Sequence, residues 1–198
     1  MRRTFTWLFA LAVLALELVS AAEVPRKAPE YAFLMPNGKQ VLLSHYRGKV
    51  VAFGFYFTTC PHCQVMCQYM EKLSGQLGAR GFQPLGVAFN EISPAMVADF
   101  MRTYKITFPF GFSPRETVYE FLQENPNARG VVPQMVLIDR RGVIRYQSRH
   151  EGDDTFFRED VLRSRIEELL REPVGRTPAP ASKTQKKSDA RQHFPIRK

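Results

Sequence analysis

The chain has 198 residues, 44% hydrophobic and 24% charged, with a formal net charge of +9. That balance excludes a fully disordered, collagen-like or multi-span membrane protein, and three cysteines are too few for a disulfide-built scaffold. The charge is uneven: Pro173 to Lys198 holds seven Lys/Arg against one Asp, whereas Glu23 to Glu172 holds 19 basic and 17 acidic residues. A nucleic-acid-binding domain would be basic over its folded face, so no nucleic-acid partner is expected.

In chain order, Met1-Arg2-Arg3 precedes an apolar run from Trp7 to Leu16 and the small residues Ser20-Ala21-Ala22. A positive start, a short apolar stretch and a small-residue site make a signal peptide over 1–22. The run falls short of the roughly 20 residues a span needs and Glu17 follows it; a retained membrane anchor is the alternative. An oxidising, periplasmic or otherwise extracytoplasmic workplace follows. Asn37-Gly38 marks the turn of a small N-terminal β-hairpin leading into Lys39 to Leu43. Val50 to Phe57, a continuous β-branched and aromatic run, predicts a buried strand. Cys60 to Ala79 has helical spacing, with Val65, Met66, Tyr69, Met70, Leu73 and Leu77 as its apolar positions.

Phe82 to Phe89 predicts a second apolar strand. Ser93-Pro94 and Ser113-Pro114 open two further helices. Met135 to Ile138 and Val143 to Tyr146 are strands joined by the turn Asp139-Arg140-Arg141-Gly142, and Phe156 to Leu170 is an amphipathic closing helix. The alternation demands parallel strands joined by a crossover. The fold class is α/β: a central mixed sheet with helices on both faces. This domain is expected over 23–172. The stretch 173–198, rich in Pro, Ala and Lys, is expected to be a disordered, solubilising basic tail, with membrane contact through that tail alone as the alternative.

The chemistry concentrates at Cys60-Pro61-His62-Cys63, after a buried strand and at a helix start. Half a zinc site has the same spacing, but no second Cys pair follows and His45, His150 and His193 have no ligand spacing to it. The redox reading is therefore preferred, with no metal and no cofactor. Unpaired amides and the positive end of a helix dipole favour a thiolate at the helix start. Pro61 suits the first turn, where its missing N–H costs nothing, and His62 is a cationic or hydrogen-bonding neighbour for the Cys60 sulfur. Cys60 is then the exposed attacking thiol, and Cys63, one turn deeper, the shielded resolving one. Val132-Pro133 precedes the strand Met135 to Ile138. A cis Pro133 would leave a backbone edge at Val132 for an extended substrate strand; a plain strand-start proline is the bland alternative. Cys67 shares the helix face of the pair but lies about 10 Å along the axis from Cys60, so it reads as a buried small hydrophobe.

These residues carry a family likeness. Gly38-Lys39-x-Val41-x-Leu43-Ser44-x-Tyr46-Arg47-Gly48-Lys49-Val50-Val51, then Phe55-Tyr56-Phe57-Thr58-Thr59-Cys60-Pro61-His62-Cys63, then Pro133 and Leu137-Ile138-Asp139-x-x-Gly142 resemble the TlpA/ResA branch of the thioredoxin superfamily, over about Glu30 to Leu170. The resemblance implies a thioredoxin fold and thiol–disulfide exchange with protein dithiols or disulfides and a redox partner protein. A monomer is expected. Three positions depart from the pattern: Thr59 stands where Trp is usual, Met66 where the reductant branch often has Glu, and Gly54 where thioredoxin has a buried acid. They leave open whether the pair donates or accepts electrons. A peroxiredoxin-like thiol peroxidase is the first alternative, although Phe57 stands at the place of its activating Thr. A Sco-like copper chaperone is the second, against a cysteine spacing of two rather than three.

Overall fold

The computed structural model describes residues 22–90, 94–125, 127 and 130–173. The expected leader over 1–22, apart from Ala22, the expected helix start at Ser93 and the expected tail beyond Pro173 lie outside the described residues.

Among the described residues eight strands form one mixed sheet: β1 (Arg26–Lys27), β2 (Ala32–Leu34), β3 (Gln40–Leu42), β4 (Val50–Tyr56), β5 (Phe82–Ala88), β6 (Phe110–Phe112), β7 (Gln134–Ile138) and β8 (Val143–Gln147). Their spatial order is β1-β8-β7-β4-β5-β6-β2-β3. β4 runs parallel to β5, from Val50 opposite Phe82 to Tyr56 opposite Ala88, through helix α1 (Pro61–Leu77). β5 runs parallel to β6, through α2 (Pro94–Thr103). β7 lies antiparallel on the other side of β4, and β8 and β1 extend that edge. The hairpin predicted at Asn37-Gly38 is β2–β3, and it joins the main sheet by pairing Leu34 with Phe112.

Every residue of β4 is buried, because both faces of this central strand are covered. The period of two sorts its side chains. Val50, Ala52 and Tyr56 enter the layer under α1, α2 and α5 (Glu159–Arg171). Val51, Phe53 and Phe55 enter the layer under α3 (Arg115–Leu122), where Tyr31 and Phe121 both meet Phe53 edge-on. With helices on both faces of a mixed sheet, the predicted architecture is the observed one.

Several details differ from the sequence reading, among them the short edge strand β1. The closing helix is two pieces: α4 (Asp154–Phe157), capped by Asp153 accepting from the Phe156 amide at 3.0 Å, and α5. Arg158 between them is extended, and the acidic Glu159 and Asp160 fit the positive start of α5. α1 ends at Leu77 in a 3-10 turn rather than at Ala79. Strand β6 is not predicted, because Pro109 and Gly111 punctuate it like a loop. Gly111 is needed there: a Cβ would lie 2.2 Å from the Leu34 carbonyl oxygen across the β2–β6 pair.

Candidate active site

β4 delivers the chain to the end of the sheet, and the turn 57–60 reverses it into α1. Cys60 is the N-cap of α1 in extended conformation, with Pro61 in the first turn. Its amide donates to the Phe57 carbonyl at 3.1 Å, and its carbonyl accepts the Gln64 amide at 3.1 Å. Two side chains that the sequence reading passed over pin this turn. Asn90, just after β5, accepts the Thr58 amide at 3.1 Å and donates to the Thr58 hydroxyl at 3.2 Å. Gln64 donates to the Thr58 carbonyl at 3.1 Å. Asn90 belongs to no local motif and matters only once the ends of β4 and β5 lie side by side, whereas Gln64 acts within the turn itself, six residues from Thr58.

The two thiols occupy different environments. Cys60 is half-buried and Cys63 is fully buried. Burial pushes the Cys63 thiol well above the usual range, and the neighbouring Cys60 and Cys67 add to this against a hydrogen bond from the Phe57 backbone. Cys67 is also fully buried, and burial raises its thiol as well. That is the environment of the packed small hydrophobe expected for it. Met66 and Met70 are buried core, whereas Val65 is 61% exposed and does not join that stripe.

The Cys60 sulfur faces the Val132 carbonyl oxygen at 3.8 Å. The Val132–Pro133 peptide is cis. This loop is held from behind by Gln134, which is 2% exposed. Its amide group donates to the carbonyls of Val131 at 2.8 Å, His150 at 3.1 Å and Arg149 at 3.2 Å, and its side-chain oxygen accepts from the Ser148 hydroxyl at 2.8 Å. Ser148 in turn accepts the Met135 amide at 3.0 Å. Gln134 and Ser148 went unremarked in the sequence because a polar residue in an apolar strand has no meaning until its partners are known.

A groove of about 420 Å³ opens beside the pair, lined among others by His62, Val65, Val131, Val132, Pro133 and Phe157. Thus His62, Val132 and Pro133 line one groove, the Cys60 sulfur meets it through the Val132 carbonyl, and Cys63 is buried. His62 is exposed on the groove wall, and among the described residues no hydrogen bond joins it to the Cys60 sulfur. Among the same residues no group of three or more His, Cys, Asp or Glu side chains is placed to hold a metal.

A family model described as AhpC/TSA matches residues 24–147. The chain belongs to the AhpC/TSA family. Within that AhpC/TSA relationship, its curated relatives include the thiol-disulfide oxidoreductase ResA of Geobacillus thermodenitrificans, 28% identical over 127 residues that span 64% of this chain and 69% of the relative. The ResA of Bacillus subtilis is 27% identical over 117 residues, 59% of this chain and 62% of the relative. A solved structure assigned as thiol:disulfide interchange protein DsbE from Chlorobium tepidum superposes with a TM-score of 0.63 at 25% identity, over 75% of this chain and 98% of that one. The fold is thioredoxin-like, and the enzyme is a thiol–disulfide oxidoreductase of the ResA-like kind.

Proposed function

We propose that this oxidoreductase exchanges disulfides with extended segments of protein substrates, outside the cytoplasm, with Cys60 as the attacking thiol and Cys63 as the resolving one. The observation that carries the assignment is the asymmetry of the pair: Cys60 is half-exposed at the start of α1 with its sulfur 3.8 Å from the Val132 carbonyl, while Cys63 is sealed beneath it. In the exchange, the Cys60 thiolate attacks one sulfur of the substrate disulfide and the other substrate sulfur leaves as a thiolate. Cys63 then attacks the Cys60 sulfur, the Cys60–Cys63 bond forms, and the second substrate thiol is released. The reverse sequence oxidises a substrate dithiol, and the potential of the pair against its partner sets the direction.

The groove supports a polypeptide substrate. Val65 and Val131, 61% and 43% exposed, flank it with apolar surface, and the backbone of Val132 offers an edge for strand-like pairing. Pro133 and His62 are assigned supporting roles as the frame and wall of that edge. The compartment is supported by the leader-like pattern over 1–22; cell fractionation and the N-terminal sequence of the processed protein test it.

The deciding test is trapping. Cys63→Ser should accumulate mixed disulfides with substrate proteins through Cys60, and Cys60→Ser should accumulate none. Trapping through Cys63 in place of Cys60 would reverse the roles. Efficient hydroperoxide turnover with no exchange activity would replace the reading with a peroxidase, although Phe57, at the place of the peroxidase Thr, is packed against Phe89 at 4.7 Å.

A further inference from the structure

The Tyr56 side chain is an anomaly in the core. It is fully buried, and among the described residues its hydroxyl has no hydrogen-bond partner. An unsatisfied buried donor is costly, and such a group in a folded protein calls for an explanation.

The surroundings show that the sheet makes room for it. Gly54 on β4 pairs with Gly86 on β5, which leaves a floor without side chains. Tyr56 lies back over that floor, stacked on Phe110 with ring centroids 5.8 Å apart. A Cβ on Gly54 would fall 2.0 Å from the phenol oxygen, and one on Gly86 would fall 3.2 Å from the ring. The hydroxyl therefore occupies the space that a side chain at position 54 would fill. Tyr56 shares its buried layer with the face of α1 that carries Cys63 and Cys67 one turn apart. Burial holds the phenol's pKa well above its usual value, and Cys67 and then Cys63 raise it further. The titratable groups acting on Cys63 are Cys60 and Cys67, and Met70, Leu73, Phe110, Met135 and Leu137 of the same layer are apolar.

We propose that the Tyr56 hydroxyl is the hydrogen-bond donor that stabilises Cys63 as a thiolate when Cys63 resolves the Cys60 mixed disulfide. The inference rests on the resolving role proposed above. A thiolate is the attacking species, and burial among apolar groups opposes its formation at Cys63. A phenol that burial and the two thiols keep protonated is suited to donate and unsuited to act as a base. In the step, the Cys63 sulfur attacks the Cys60 sulfur, the bond from Cys60 to the substrate sulfur breaks, and the Cys60–Cys63 bond forms. The departing substrate thiolate carries away the electron pair and takes a proton from solvent, to which Cys63 gave up its own. Tyr56 keeps its proton throughout, so its O–H is satisfied in the state where the charge appears.

The test uses the reduced full-length chain and dithiobis(nitrobenzoate), whose released thiolate is coloured. Attack by Cys60 releases the first nitrothiobenzoate, and resolution by Cys63 releases the second. In Tyr56→Phe, which removes one oxygen and keeps the ring, the second phase should slow about tenfold on the acidic side of its pH profile, the size expected for losing one hydrogen bond to a charged group. The first phase should hold its rate. The same slowing should appear when Tyr56→Phe is placed in a Cys67→Ala background. An unchanged pH profile for the second phase in Tyr56→Phe overturns the inference. So does a slowing that vanishes once Cys67 is gone, since the donor would then serve Cys67. If the parent chain shows no second phase, or Cys63→Ser retains it, the resolving role of Cys63 fails instead.

Discussion

Gln134 links the stability of the domain to the geometry of its reactive edge, and Gln134→Leu separates the two. The substitution keeps the volume of a residue 2% exposed but removes one donor group and one acceptor. The His150 carbonyl keeps a partner, because it also accepts the Val131 amide at 3.1 Å. The Ser148 hydroxyl, itself 2% exposed, loses the acceptor it donates to. The Val131 carbonyl loses its 2.8 Å donor. Two stranded polar groups at about 1–3 kcal/mol each, the second discounted for its half-exposed setting, give a loss of about 2–3 kcal/mol. That corresponds to a melting point lower by roughly 4–12 °C for a domain of this size. Urea unfolding should show a lower midpoint at unchanged slope. On the proposed function, the released Val132 edge should slow mixed-disulfide formation with a peptide disulfide several-fold, while a small aromatic disulfide, which needs no edge, should react with Cys60 within about twofold of the parent. A variant as stable as the parent, or one that loses both reactions equally, would show that Gln134 does not hold this loop.

Three further outcomes are expected. In the folded, reduced chain, alkylation should modify Cys60 alone, with Cys63 and Cys67 labelled only on unfolding, because both are fully buried and burial raises both thiols; mass mapping after a short pulse reads this directly. Asp139 is buried, yet hydrogen bonds from Val143 and Arg141 and the charge of Arg141 outweigh that burial and hold its carboxyl below the usual range. A depressed acid contributes stability that is full above its unfolded value of about 3.9 and is lost as pH falls through the folded one, so the melting point should fall in that acid window and Asp139→Asn should flatten the fall. Gly111→Ala should cost about 1–3 kcal/mol by overpacking, since its Cβ would meet the Leu34 backbone oxygen at 2.2 Å; a chemical-denaturation midpoint equal to the parent's would mean that β2 yields freely.

What the sequence made legible follows from how local each signal is. Val50 to Phe57 reads as a buried strand because seven consecutive buried positions leave no polar gap. Cys60-Pro61-His62-Cys63 reads as a redox pair because its spacing and the helix start lie within one turn of chain. Val132-Pro133 was placed beside the pair from its position ahead of a core strand, and the structure brings it to the Cys60 sulfur. Strands β1 and β6, two and three residues long, are too short to carry a period and exist only by pairing with partners elsewhere in the chain. Asn90, Gln134 and Ser148 are illegible for the same reason: each is a polar residue all or most of whose side-chain partners are 13 or more positions away.

The departures from the family pattern at positions 54 and 66 acquire a physical meaning once they are set in the fold. Gly54 does not leave a hole where thioredoxin has its buried acid; the phenol of Tyr56 fills that volume. The exchange of a carboxylate for a neutral donor changes what the core can do for a buried thiol. A carboxylate can take a proton from Cys63 but repels the thiolate that results, whereas a protonated phenol cannot take the proton but attracts the charge. With the acid absent and Met66 buried at the place where the reductant branch often has Glu, the side chains acting on Cys63 are the two other thiols, with no carboxylate among them. On the proposed roles, resolution in this enzyme is then governed by the stability of the buried thiolate rather than by a base beside it.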